Sequence, residues 1–330
     1  MKIAFFSTKS YDREYFDKFN VDNKHTLTYF DAPLNADTAN LTQGFEGVCI
    51  FVNDKIDKET IEKISGNGVT AIALRCAGYN NVDVKAAMEK NIRIFRVPSY
   101  SPQAVAEHAV ALILTLNRKT HKAYNRIREN NFSIEHLTGF NLYGKTAGVV
   151  GTGQIGFCFC TIMQGFGCKV IAYDIAESDD LKEKGIEYRS FDEILKSSDI
   201  ISLHCPVTPA TNYIINKDAL SKMKNGVMLI NTSRGGLINT QDAIAGLKNK
   251  KIGYLGIDVY EQEAGLFFKD LSESVVQDDV ISRLMNFSNV LITGHQAFFT
   301  REALEQITTT TLNNLTDFEK GIDVANEVKV

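Results

Sequence analysis

No apolar run in this chain approaches the length of a membrane span, and the run after Met1 and Lys2 is too short for the core of a signal peptide. A membrane-embedded or exported protein is not expected. No block of like charges occurs either. The 36 lysines and arginines stand against 40 aspartates and glutamates, a net charge of −4, without the basic face of a dedicated nucleic-acid binder. Cysteine is sparse. The six thiols, Cys49, Cys76, Cys158, Cys160, Cys168 and Cys205, are scattered among apolar neighbours, and Cys158-x-Cys160 has neither a zinc nor a redox spacing. The histidines offer no pair at metal-ligand spacing, so no metal is expected. Small-residue packing by reduced thiols in a cytoplasmic protein is the reading that remains. Proline is rarer still, with five in 330 residues, and two of them fall in the hexapeptide Val97-Pro-Ser-Tyr-Ser-Pro102.

The composition is otherwise that of a globular chain, 44% hydrophobic and 23% charged, long enough for two domains with sizeable cores. Strand-like and helix-like segments alternate from the start, which points to parallel sheets with crossover helices. Ile3 to Ser7, Val48 to Val52 and Thr70 to Leu74 read as buried strands, with helical patterns at Asp57 to Ser65 and Val82 to Lys90. The two prolines then break both periodicities, and Ser101-Pro102 makes a cap and first turn for a helix over Gln103 to Asn117. That helix is apolar almost all round, as expected between domains or at a subunit interface. A second series follows, with buried strands at Thr146 to Val150, Lys169 to Tyr173, Ile200 to His204, Val227 to Asn231, Tyr254 to Asp258 and Val290 to Thr293. These fit one doubly wound sheet. A helix from Arg301 to Lys320 is expected to cross back to the first domain. The expected division is residues 1–100 with 300–330 in one domain and 101–299 in the other, with hinges near Val97 to Pro102 and Phe298 to Arg301.

Within the second series, an apolar strand runs straight into Gly151-Thr-Gly153-Gln-Ile-Gly156, and a helical pattern follows. The first glycine permits a tight turn, the second lets the backbone approach a pyrophosphate, and the third lets helix and strand pack closely. The next strand ends in Asp174, about 20 residues on, as the dinucleotide motif requires. An acid there accepts hydrogen bonds from ribose hydroxyls and repels a 2′-phosphate, and Ile175 and Ala176 supply no cation to reverse that. The expected cofactor is NAD rather than NADP. The turn lies in mid-chain, with enough residues before it for a separate domain.

Reduction of a keto acid needs a proton donor at the carbonyl oxygen and a cation for the carboxylate. In open α/β sheets such groups come from the C-terminal ends of strands. Three late strands end in suitable residues: Arg234 after Val227 to Asn231, the acids Asp258, Glu261 and Glu263 after Tyr254, and His295 after Val290 to Thr293. Each alone could be a surface arginine, a solvated acidic loop or a structural histidine. Their joint occurrence past different strands of one sheet points to a site. His108 and His204 read as packed core residues, and His25, His121 and His136 have no identifiable partner.

These residues, with Leu74-Arg75-Cys76-Ala77-Gly78-Tyr-Asn-Asn-Val-Asp83, Val97-Pro-Ser-Tyr100-Ser-Pro-Gln-Ala-Val-Ala-Glu107-His108, Asn231-Thr-Ser-Arg234-Gly, Leu266-Phe-Phe and Gly294-His295-Gln-Ala-Phe298, resemble the D-isomer-specific 2-hydroxyacid dehydrogenases, closest to the fermentative D-lactate dehydrogenases. The match spans nearly the whole chain. It implies an α/β fold with two doubly wound parallel-sheet domains, a Rossmann NAD domain inserted into a flavodoxin-like substrate domain. It also implies roles. Arg234 would bind the substrate carboxylate and polarise the carbonyl, His295 would be the acid and base, and Glu263 would pair with His295. Arg75, Cys76, Ala77 and Gly78 match a segment whose amides meet the carboxylate, with Tyr100 and Phe298 at the same pocket. Gly151, Gly153, Gln154, Ile155, Gly156, Asp174, Cys205, Pro206, Thr211, Thr232, Ser233 and Asp258 would contact NAD. The expected substrate pair is pyruvate and D-lactate, in a homodimer or dimer of dimers, with no nucleic-acid or membrane partner. The alternatives are another D-2-hydroxy acid (2-hydroxyisocaproate, glyoxylate or phosphoglycerate) or an NAD-sensing binding protein of the same fold.

Overall fold

The structure is a computed structural model that describes residues 1–263 and 265–329. The chain divides into two compact units, Met1–Ser101 with Phe299–Val330, and Pro102–Phe298.

The first unit is built on a parallel sheet of β1 (Lys2–Phe5), β2 (Thr26–Tyr29), β3 (Gly47–Ile50), β4 (Ala71–Leu74) and β5 (Arg93–Phe95), in the order β2-β1-β3-β4-β5. That is the flavodoxin-like order. The central β3 and β4 are buried at every position, which is why they read as continuous apolar runs. The two edges, β2 and β5, were not anticipated: Thr26, Thr28 and Arg93 interrupt their apolar content. Asp57 and Asp83 start the helices Lys58–Gly66 and Val84–Glu89 by accepting the amides of Thr60 and Ala86. The helix Arg301–Glu319, capped by Thr300, belongs to this unit and packs Leu312 and Leu315 against Phe5 and Phe95.

One charged side chain lies in this core. Arg75 is 2% exposed. Its Nε is 3.3 Å from Asp12 Oδ1, and its terminal nitrogens donate to the carbonyls of Cys49 and Phe6. Its backbone amide donates to Ile50 O. The guanidinium and the amide of Arg75 thus tie β4 to β1 and β3 inside the first unit. The motif places it correctly in sequence, but the side chain turns inward to neutralise Asp12.

The second unit carries β6 (Thr146–Val150), β7 (Lys169–Tyr173), β8 (Glu187–Tyr188), β9 (Ile200–Leu203), β10 (Val227–Asn231), β11 (Ile252–Ile257) and β12 (Val290–Ile292), all parallel. The order is β12-β11-β10-β9-β6-β7-β8. Counted from its own first strand, this is the Rossmann order 3-2-1-4-5-6 with one strand added beyond the sixth. The two-residue edge strand β8 gives no readable period. The apolar helix Pro102–Arg118 begins at the proline and buries residues around most of its circumference. It lies close on β11, where a side chain at Gly256 would meet Leu116 and Leu112 at 3.0 and 3.3 Å. No helix among the described residues is long and apolar enough to cross a membrane.

Replacing Arg75 by Ala should destabilise the protein by about 3–5 kcal/mol, because it strands the buried Asp12 carboxylate. Urea unfolding monitored by circular dichroism measures this; a change within 1 kcal/mol, on the order of a surface substitution, would contradict the buried pair.

Candidate functional site

The glycine turn joins β6 to the helix Gln154–Gly165, whose N-cap is Gly153 with no capping side chain. Gly151 has φ +94, and a Cβ there would lie 2.6 Å from the backbone of Cys205 and His204. A Cβ at Gly156 would lie 2.0 Å from Gly151 O, so this glycine lets the helix close on the strand. At Gly153 the same construction meets nothing within 4 Å. The three positions differ as a pyrophosphate cradle requires, with space at the middle glycine and none at the other two. Gln154 and Ile155 form the first turn of the helix that faces this space.

Asp174 follows β7. Its Oδ2 accepts the Thr152 amide at 2.5 Å and the Thr152 hydroxyl at 3.1 Å, while Oδ1 accepts Ala176 N at 3.0 Å. Tyr188 donates its hydroxyl to Thr152 Oγ1 at 2.9 Å. Thr152 and Tyr188 are thus part of the turn, although sequence spacing singles out neither. On the opposite side, Thr211 donates its hydroxyl to Pro206 O at 2.6 Å and holds the loop after β9, and Ser233 donates to Cys205 O at 2.7 Å. Burial pushes the Cys205 thiol up to about 11, so it stays protonated at neutral pH. Thr232 Oγ1 is buried without a hydrogen-bond partner among the described residues. An orphaned hydroxyl on the same C-terminal sheet edge as the open glycine turn and the strand-end acid fits a bound dinucleotide. His204 is packed beneath the turn. Its ring is 4.9 Å from that of Phe159, Nε2 is 2.9 Å from Ser202 Oγ, and burial pushes it down to about 3, so it is neutral.

Arg234 stands just past β10 and is exposed, with one terminal nitrogen donating to Ser233 O at 2.7 Å. Asn231 shapes this turn, accepting Ser233 N and donating to Arg234 O. Gly235 is required next: a Cβ there would lie 2.1–2.3 Å from the backbone of Tyr260 and Glu261. The turn bearing Arg234 is therefore pressed against the segment leading to Glu263.

Glu263 and His295 are brought together directly. His295 Nδ1 is 3.0 Å from Glu263 Oε1, and Glu263 Oε2 accepts Tyr260 N at 3.2 Å. The histidine ring is partly exposed, and Phe268 lies 5.8 Å away, centroid to centroid. His295 has a left-handed backbone, φ +55, a costly conformation for a residue with a Cβ. It is held there from below. The His295 amide donates to Asp258 O at 2.8 Å, and the fully buried Asp258 carboxylate accepts Gln296 N, Ala297 N and the Thr293 hydroxyl. Burial pushes the Asp258 carboxyl up, but His108, Thr293 and the two amides outweigh it and hold the group below its ordinary value. His108 Nε2 is 3.0 Å from Thr293 Oγ1 and 3.5 Å from Asp258 Oδ1, so the helix residue that read as packing also braces the His295 loop.

In the first unit, Cys76 Sγ donates to Gly78 O at 3.2 Å, and Arg96 donates to Ala77 O. The amides of Ala77 and Gly78 donate to no acceptor among the described residues. Tyr100 is partly exposed. Phe298 is buried in the second unit, and Phe299 packs edge-on against Tyr11 at 4.7 Å within the first.

Residues 110–297 match the family described as D-isomer specific 2-hydroxyacid dehydrogenase, NAD binding domain. The chain is 52% identical to the D-lactate dehydrogenase of Escherichia coli, over 99% of this chain and 100% of that protein. The solved structure of the pyruvate reductase of Chlamydomonas reinhardtii superposes with a TM-score of 0.95 at 43% identity, covering 99% of this chain and 98% of that one. D-lactate dehydrogenase with NAD+ from Lactobacillus jensenii superposes with a TM-score of 0.84 at 30% identity over the full length of both chains. With an NAD-binding family match across the second unit and relatives spanning the whole chain, this protein belongs to the NAD-dependent, D-isomer-specific 2-hydroxyacid dehydrogenases.

Proposed function

We propose that this enzyme interconverts pyruvate and D-lactate. The observation that carries the reading is the His295–Glu263 pair, fixed at the C-terminal edge of the sheet that also carries the glycine turn. The glycine turn with Gln154 and Ile155 would hold the pyrophosphate, Asp174 the ribose, and Cys205, Pro206 and Thr211 the adenosine side. Thr232, Ser233 and Asp258 would serve the nicotinamide end. NADH, when bound, supplies the hydride that reduces the keto carbon.

The Glu263 carboxylate at Nδ1 keeps a proton on that nitrogen and fixes the ring orientation, so Nε2 is the nitrogen that exchanges a proton with the substrate. In reduction, Nε2 gives its proton to the carbonyl oxygen as the O–H bond forms, and His295 becomes neutral. In lactate oxidation the neutral ring takes that proton back. Arg234 is the charge that binds the carboxylate and stabilises the developing alkoxide, for which a planar guanidinium is suited. In the first unit, the amides of Ala77 and Gly78 are donors of the kind a carboxylate takes, and Cys76 shapes their turn. Tyr100 and Phe298 are offered as the residues that restrict the substrate side chain to methyl size.

The exposed apolar side chains Tyr124, Ile127, Phe132, Ile134 and Tyr143, all within the segment after helix Pro102–Arg118, support a homodimer, and on the helix Thr120–Arg128 the face of Tyr124 and Ile127 that would enter it is opposite the face of Lys122 and Arg126. The six scattered thiols suit the reducing cytoplasm. Sedimentation at micromolar concentration is expected to read at least two chains per particle; a single-chain mass would refute the dimer.

Purified protein should oxidise NADH with pyruvate and yield the D isomer of lactate. In His295→Gln, kcat should fall by about a hundred- to ten-thousand-fold while NADH affinity stays within twofold, on the order expected for loss of a general acid. Comparable loss of NADH binding would contradict the assignment. Asp174→Ala should weaken NADH by about tenfold or more and narrow its margin over NADPH. An unchanged cofactor ratio would remove Asp174 from the ribose site.

A further inference from the structure

A second concave site lies at the opposite edge of the same sheet. The residues just before or at the start of β10, β11 and β12 (Gly226, Ile252, Gly253, Ser288 and Asn289) form one wall of an open cleft of about 610 Å³. The other wall comes from the end of helix Pro102–Arg118 and from the helix Thr120–Arg128 with the chain after it. The cleft is lined by Lys119, His121, Lys122, Arg126, His136 and Lys250, and no aspartate or glutamate lines it.

Among the described residues, no acid neutralises these cations. Lys119 donates to the carbonyls of His136 and Thr138, Arg126 to those of Glu135 and Ser133, and Lys122 to that of Ser288. Main-chain carbonyls satisfy hydrogen bonds but bring no net charge. Among the described residues, none of Lys119, Lys122, Arg126 and Lys250 makes a salt bridge, in a chain whose net charge is −4. The cost of gathering them is visible at two groups. Partial burial, then Lys119 and Arg126, lower the proton affinity of Lys122; partial burial, then Lys122, lower that of His121. His121 Nδ1 is buried with no hydrogen-bond partner among the described residues. Like charges that repel one another around a roomy, acid-free cleft are stabilised together by an anion that reaches several of them.

We infer that this cleft is a binding site for a small anion carrying two or more oxyanion groups, distinct from the glycine turn. A single phosphate or carboxylate would meet only part of the set, because the cations come from both walls. The site cannot touch the reaction directly. The six residues of β11 separate its floor from Asp258 at the other end by roughly 20 Å of extended chain.

Calorimetric titration of NADH-saturated enzyme tests the inference, because the bound cofactor blocks the pyrophosphate cradle. Inorganic pyrophosphate is the first probe and citrate the second, both at low ionic strength. Saturable binding at one site per chain is expected for pyrophosphate. Citrate of similar affinity would mean that the cleft takes polycarboxylates as well as phosphates, and silent citrate would mean a phosphate site; either supports the proposal. Arg126→Gln with Lys250→Asn, the latter chosen because asparagine tolerates the positive φ of Lys250, should weaken pyrophosphate at least tenfold with NADH affinity unchanged. Should the double variant fail to fold, Lys250→Asn alone should weaken pyrophosphate at least threefold. No binding of either probe to the unaltered enzyme, or equal binding by the folded variant, would overturn the site.

Discussion

Asp258 is completely buried, and more of the candidate site hangs on it than on any residue expected to touch substrate. Its carboxylate collects the amides of Gln296 and Ala297 and the hydroxyl of Thr293, its carbonyl takes the amide of His295, and its own amide donates to Asn231 O on the neighbouring strand. A buried carboxylate without such donors would be protonated or expelled. With them it becomes a rigid knot that joins β10, β11 and the chain after β12. The left-handed backbone of His295 is affordable because so many bonds over-determine the loop. His108 reaches the same knot from the helix Pro102–Arg118, so an element outside the strand ends also bears on where the imidazole sits.

The glycine turn follows a similar logic with different chemistry. Thr152 is tied to Asp174, and Tyr188 is tied to Thr152, so strand-end acid and turn are already registered against each other. A cofactor meeting this arrangement spends little of its binding energy on ordering the protein. The same sheet supplies two edges of opposite use: C-terminal strand ends that carry Arg234, Glu263 and His295, and N-terminal ends beside a cluster of unneutralised cations.

Much of this architecture was legible because buried parallel strands leave long apolar runs, as in β3, β4, β6 and β10, and because Gly151, Gly153 and Gly156 obey a spacing dictated by covalent geometry. The edge strands were not legible. β2 and β5 mix polar residues into short runs, and β8 has two residues, too few for any period. At the site, the pairing of Glu263 with His295 follows from a family motif, whereas the direction of the Arg75 side chain does not. A one-dimensional pattern places Arg75 beside Cys76 and Ala77; only the fold brings Asp12 beneath it. Thr152, Tyr188 and Thr293 carry no motif of their own, since a lone hydroxyl gains its role from partners distant in sequence.

Gly235 links two loops with separate tasks. Its missing side chain lets the turn bearing Arg234 rest on the backbone of Tyr260 and Glu261, and Tyr260 in turn donates its amide to Glu263. The positions of Arg234 and of the partner of the histidine therefore cannot be adjusted one at a time. A change that widens one loop displaces the other. The two loops are inherited as a single unit.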